Sequence, residues 1–323
     1  MNRKKKGKNK VMTIAIIGPG AVGTTLAFEL KKVLPDTELI GRQDKLMTYF
    51  PENTSNGSDV KVTSFNHINQ TFDVIIIAVK THQLDDVIKQ LPKITHDDSL
   101  IILAQNGYGQ LNKLPYQHVF QAVVYISGQK VNNNVQHFRD YQLYIQDSTL
   151  TRQFKQMVHP SKIEVVLQEN IEKSIWYKLL VNLGINTITA IGQQPAKILK
   201  SPHIESLCRR ILVDGLKVAR AEQIDFEDHI VDDILNIYKG YPDEMGTSMY
   251  YDVINKHPLE VEAIQGYIYK CAKKHHLETP YLDMLIHFYT LITLNTHNQI
   301  DILGKLVIIK YDLFSKKIYL FYK

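Results

Sequence analysis

The chain has 323 residues, 44% hydrophobic and 22% charged, a balance that suits two globular domains or one large one. No apolar stretch reaches the ~18 residues of a membrane span, and two cysteines, Cys208 and Cys271, cannot build a disulfide framework, so no membrane partner and a reducing cytoplasm are expected. The net charge of +5 is carried by the two ends, which hold eleven of the 38 basic and two of the 33 acidic residues; the body is near −4 and gives no nucleic-acid footprint.

In chain order, the basic run MNRKKKGKNK shows no cleavage site and reads as a solvated, disordered extension over residues 1–11. Thr13–Ile17 predicts a strand, Ala21–Leu34 a helix and Thr37–Ile40 a second strand. Residues 51–70 are polar and turn-rich, with a short strand at Val60–Thr63. The run FDVIIIAV at 72–79 is nearly continuous, as expected of a strand buried on both faces. Thr81–Leu91 predicts a helix and Leu100–Ala104 a strand. Val119–Ser127 and Gln142–Gln146 have strand character, and Lys162–Val166 closes the sheet. This alternation predicts a Rossmann-type, doubly wound parallel sheet over residues 12–168. Residues 169–299 change to helical periodicity, in segments 170–191, 203–223, 226–239, 260–276 and 280–294. Residues 300–323 break that pattern. Their Val, Ile, Tyr and Phe around Ser-Lys-Lys suggest a hairpin or an added edge strand.

The chemistry begins at Gly18-Pro19-Gly20-Ala21-Val22-Gly23, a G-x-G-x-x-G turn between the first strand and the first helix. The first glycine allows the tight turn, the second lets backbone approach a pyrophosphate, and the third lets helix pack on strand. The amides and dipole of the helix then face phosphate. NAD-preferring sites place an acid at the end of the second strand. Here Gly41 stands near that place and Arg42 follows, which favours the 2′-phosphate of NADP(H). Glu38 and Asp44 are the competing readings. Glu38 falls too early, and Asp44 falls past the strand.

Ligands in such sheets lie beyond the carboxyl ends of strands. Two ends are polar there: Lys80-Thr81-His82-Gln83 and Gln105-Asn106-Gly107. Lys80 and Asn106 are expected over the nicotinamide half of the cofactor. Gln83 also reads as a helix-surface residue, and Asn106-Gly107 equally as a plain turn. In the first long helix, Lys178, Asn182 and Asn186 fall at i, i+4 and i+8, one polar stripe on an otherwise apolar segment. Buried polar groups need partners, so a polar ligand explains the stripe better than stability does. The alternative is that Lys178 snorkels to solvent. Further on, Ser248 opens a helical turn, and Pro258 opens another helix carrying Glu260, Glu262 and Gly266. No metal-ligand spacing is present.

Taken together, GPGAVG at 18–23, VK at 79–80, QNG at 105–107, WYKLLVNLGIN at 176–186, SM at 248–249 and LEVEAIQGY at 259–267 resemble the ketopantoate reductase family over roughly residues 12–295. Two positions depart from the family's usual pattern, Leu259 before Glu260 and Met245 three residues before Ser248. The resemblance implies an NADPH-dependent reduction of 2-dehydropantoate, or of another 2-oxo acid. It makes Lys178 the general acid, and Glu260 an acceptor for the substrate hydroxyl or for Lys178. Asn182, Asn186, Ser248 and Asn106 become substrate-binding residues. The glycine turn with Arg42, Lys80, Gln83, Asn106 and Glu260 holds the cofactor, and the helical domain offers a surface for a homodimer. A 3-hydroxyacid dehydrogenase using NAD and a non-catalytic NADPH sensor remain the rival readings.

Overall fold

The computed structural model describes residues 12–297, 308–312 and 317–321; the basic run at 1–11 lies outside them. The chain opens with β1 (Ile14–Ile17), α1 (Ala21–Lys31), β2 (Glu38–Gly41), β3 (Lys45–Phe50) and β4 (Ser58–Ser64). Then come β5 (Val74–Ile77), a 3₁₀ turn at Thr81–Gln83, α2 (Leu84–Ile88), β6 (Leu100–Leu103), β7 (Val119–Val131), β8 (Asn134–Gln146), α3 (Thr149–Val158) and β9 (Glu164–Gln168). These strands form one sheet in the order β3-β4-β2-β1-β5-β6-β7-β8-β9, with β3 also pairing with β8.

The central strands are parallel and sit in register, Ile14 to Ile17 opposite Val74 to Ile77, which face Leu100 to Leu103. Their side chains alternate between two cores, as a period of two requires. Ile14, Ile16, Val74 and Ile76 pack under α1 with Leu26 and Leu30. Ala15, Ile17, Ile75 and Ile77 pack on the opposite face with Leu84 and Leu91. This two-sided burial makes the N-terminal half Rossmann-like.

The sheet is not wholly parallel, which corrects the sequence expectation. β3 runs antiparallel to β4, and β7 antiparallel to β8. For β7 and β8 the cause is a two-residue connection at Asn132-Asn133, with Asn132 left-handed at φ 55°, which can only join antiparallel strands. The helix expected over Thr81–Leu91 is shorter, a 3₁₀ turn followed by α2.

From Ile171 the chain is helical: α4 (Ile171–Gly192), α5 (Pro202–Ala221), α6 (Ile230–Lys239), α7 (Ser248–Ile254), α8 (Gln265–Lys274) and α9 (Pro280–His297). Asn170 caps α4 by accepting from the Glu172 amide, and α4 ends at Gln193 in the left-handed region. Trp176, Leu179, Leu180 and Leu183 of α4 pack against Ile211 and Leu212 of α5, Ile234 of α6, Ile268 of α8 and Leu285 of α9. Pro258 does not open a helix. The chain is irregular to Glu260, makes a 3₁₀ turn at Val261–Ala263 and enters α8 at Gln265. At the end, β10 (Ile308–Asp312) and β11 (Lys317–Phe321) pair antiparallel, where a hairpin or an added edge strand is expected.

Candidate active site

The glycine turn is built as its sequence requires. Gly18 has φ 110°, and a Cβ there would lie 2.7 Å from Val79 Cγ1, so only glycine is unstrained. Its amide donates to Ile40 O at 2.9 Å, and the Gly20 amide donates to Gly18 O at 2.8 Å. Gly23 presses α1 onto this turn, because a Cβ would sit 2.0 Å from Gly18 O. Beside Gly20 the space is open: a Cβ would meet nothing within 4 Å. Gly20 caps α1 without a side chain, and the first turn carries no acid. The N-terminal amides of α1 therefore face open space with their dipole uncompensated, a fit for an anionic pyrophosphate.

At the end of β2, Gly41 is confined. A Cβ would lie 2.8 Å from Val62 Cγ1 and 3.3 Å from Pro19 Cγ, so there is no room for the acid of an NAD-type site. The nearby acids are engaged elsewhere. Glu38 accepts from Thr63 Oγ1 at 2.9 Å, and Asp44 accepts from the Ser64 amide at 2.6 Å and pairs with His67. The Arg42 side chain is exposed, and its carbonyl accepts from Ser64 Oγ at 3.2 Å.

Beyond β5 and β6 the two halves of the molecule meet. Lys80 Nζ donates to Asp252 Oδ2 at 2.8 Å and to Glu260 Oε2 at 3.0 Å, while the Thr81 amide donates to Glu260 Oε1 at 3.1 Å. Both carboxylates are buried, Asp252 at 7% and Glu260 at 5% exposure. Burial works against the Lys80 ammonium, but Glu260 and Asp252 outweigh it and hold its pKa above the usual lysine value. Glu260 is thus brought to Lys80, not to Lys178. Asp252 was not singled out as a site residue: its partner is 172 residues away, and no local spacing signals it. Gln83 is half-buried where the 3₁₀ turn meets α2, and its amide donates to Lys80 O at 2.9 Å. Beside Asn106 the Tyr108 amide donates to Ala263 O at 2.8 Å, a second join across the halves.

Lys178 and Asn182 line a cleft with Asn106, Gln105 and Val124, so three of the residues singled out in the sequence share one wall. Lys178 Nζ donates to the Val124 carbonyl and lies 4.8 Å above the Tyr125 ring. Burial lowers its pKa to about 8, opposed by Asp140. Tyr125, in edge contact with Tyr144 at 5.1 Å, went unnoticed in the sequence because nothing local links it to Lys178. One helical turn past Asn182, Asn186 is buried. Ser248 is exposed at the start of α7. α7 is tied to the stripe's helix by a 2.8 Å hydroxyl contact between Thr189 and its cap Thr247. Among the described residues no cluster could hold a metal ion.

A phosphate-ready glycine turn joined through a charged seam to a helical domain with a half-buried lysine on the cleft wall defines a two-domain oxidoreductase. Two family models match the chain, ketopantoate reductase PanE/ApbA over residues 14–149 and ketopantoate reductase PanE/ApbA C terminal over residues 170–292. A dimeric ketopantoate reductase from Staphylococcus aureus is 57% identical, with a TM-score of 0.87 covering 88% of this chain and all of that one. The 2-dehydropantoate 2-reductase of Mycobacterium tuberculosis is 29% identical over 284 residues, 84% of this chain and 95% of the relative. That of Bacillus subtilis is 25% identical over 307 residues, 88% and 99%. The chain belongs to the ketopantoate reductase family.

Proposed function

We propose that this protein reduces 2-dehydropantoate to pantoate with NADPH, with Lys178 as the general acid. The carrying observation is the placement of the Lys178 ammonium on the cleft wall beside Asn106 and Asn182; burial lowers its pKa to about 8. The reduced nicotinamide, when bound, supplies the hydride. As the keto oxygen gains negative charge, an ammonium at that oxygen binds the transition state more tightly than the ground state. Lys178 then gives its proton and completes the alcohol. Asn182, Asn186 and Ser248 offer amide and hydroxyl groups to the carboxylate and hydroxyl of the substrate.

Glu260 is fixed by Lys80 and Thr81 and keeps second lone pairs to accept from a substrate hydroxyl. The α1 amides, Gly18 to Gly23, take the pyrophosphate. Asn106, Lys80 and Gln83 edge the nicotinamide side, and Arg42 takes the 2′-phosphate. The buried, unpaired thiols Cys208 and Cys271 support a reducing compartment, the cytoplasm.

The test is NADPH oxidation followed at 340 nm with 2-dehydropantoate, beside NADH and pyruvate. Turnover with NADPH and 2-dehydropantoate, well above both controls, is the expected result. Tight NADPH binding without turnover on any 2-oxo acid would replace the reductase reading with a nucleotide sensor.

A further inference from the structure

We propose that Lys45 and Lys130 join Arg42 at the carboxyl end of β2 to form a three-cation seat for the 2′-phosphate of the dinucleotide, and so determine cofactor specificity. The inference rests on the NADPH reading above and extends it to two residues outside the glycine turn and the strand-end pattern.

Topology brings the two lysines together across 85 positions of sequence. Lys45 opens β3 opposite Val62 of β4. Val62 is the side chain that crowds Gly41, and Gly41 in turn touches Pro19 of the glycine turn. Lys130 lies near the tip of the β7–β8 hairpin opposite Val135, and Val135 pairs with Tyr49 of β3. The hairpin therefore folds back onto β3.

Both lysines occupy the face that looks toward α1. Lys45 shares its face with the buried Met47 and Tyr49, and the Tyr49 ring lies 4.4 Å from that of Phe28 of α1. Lys130 shares its face with Gly128, where a Cβ would stand 3.6 Å from Ala21, the first residue of α1. The lysines and Arg42 thus rim the same end of the helix whose amides face the pyrophosphate.

Charge makes the case for an anion. Lys130 is exposed, yet partial desolvation by the surrounding atoms, then the Lys45 ammonium within hydrogen-bond reach and Arg42 beyond it, press its pKa down to about 8. Among the described residues no carboxylate pairs with Arg42, Lys45 or Lys130. The local acids Glu38 and Asp44 are committed to Thr63 and to Ser64 and His67. Three cations without a counter-ion repel one another, and a dianionic phosphomonoester relieves that repulsion. The ribose hydroxyls of NAD carry no charge to do so.

The full-length chain and its Lys130→Gln, Lys45→Gln and Lys130→Arg variants are compared for NADPH and NADH affinity by nicotinamide fluorescence. Expected is an about 10-fold loss of NADPH affinity in each Gln variant, from one lost charge-assisted contact. NADH affinity should stay unchanged, Lys130→Arg should keep the preference, and the nucleotide-free melting temperature should not fall. NADPH and NADH weakening together, or NADPH unaffected, overturns the proposal while leaving the NADPH reading intact. A parent protein that binds both nucleotides equally overturns that reading, and this inference with it.

Discussion

At the Lys178 ammonium, burial and the surrounding groups pull in opposite directions. Burial lowers its pKa to about 8, while Asp140 raises it and the Tyr125 face, 4.8 Å away, favours the charged form. A general acid must be protonated to act. On the assigned role, kcat/KM therefore falls as pH rises through about 8 and levels off below it. Lys178→Ala should lower turnover by roughly 10²- to 10⁴-fold while NADPH still binds, and retained turnover would remove the residue from the mechanism. Tyr125 sharpens the same point. Tyr125→Phe keeps the ring face and should leave the pH profile where it was. Tyr125→Leu removes a contact of about 0.5–2 kcal/mol, so the ammonium loses its proton more readily and the alkaline limb moves to lower pH. A profile unchanged in the Leu variant would reduce Tyr125 to packing.

Among the elements, the end of β2 decides more by what it excludes than by what it presents. Replacing Gly41 with Asp, the usual acid of an NAD site, drives a Cβ against Val62 and Pro19. Overpacking of this kind costs about 1–3 kcal/mol and displaces the glycine turn. Gly41→Asp is therefore expected to weaken NADPH and NADH alike and to lower the melting temperature. A clean switch to NADH in titrations of both nucleotides would show that the strand end is softer than its contacts indicate. β1, β5 and β6 were legible because strands buried on both faces read as apolar runs, and the 22-residue α4 because its polar stripe keeps helical spacing at Lys178, Asn182 and Asn186. The sequence leaves β3, KLMTYF at 45–50, unassigned, and only pairing with β4 and β8 makes it a strand. Only the inner halves of β7 and β8 were foreseen, because the outer halves are polar and largely exposed. The stripe Lys178, Asn182 and Asn186 could be read within one helix. The seam of Lys80, Asp252 and Glu260 could not, because its partners are 172 and 180 residues apart and only the folded chain sets them together.

Across the whole molecule, that seam joins the helical half to the sheet, and in the helical half α9 keeps an apolar edge in solvent. Leu282, Leu285 and Tyr289 of α9 are buried in that core. Met284, Phe288 and Leu291 are 38%, 43% and 46% exposed and recur at i, i+4 and i+7, one face of one helix. A stripe of three large apolar side chains stabilises nothing while it faces water. On the homodimer through the helical domain that the sequence leads one to expect, a second copy of this chain presenting the same stripe would bury both across a two-fold axis. Phe288→Lys places a charge at the middle of that face. It is expected to convert a dimer to a monomer in sedimentation velocity with little change in melting temperature, because the side chain is already half in solvent. Each protomer holds its own glycine turn, seam and polar stripe, so the monomer should keep measurable turnover. A Phe288→Lys protein that sediments as the parent does would move the self-association surface away from α9.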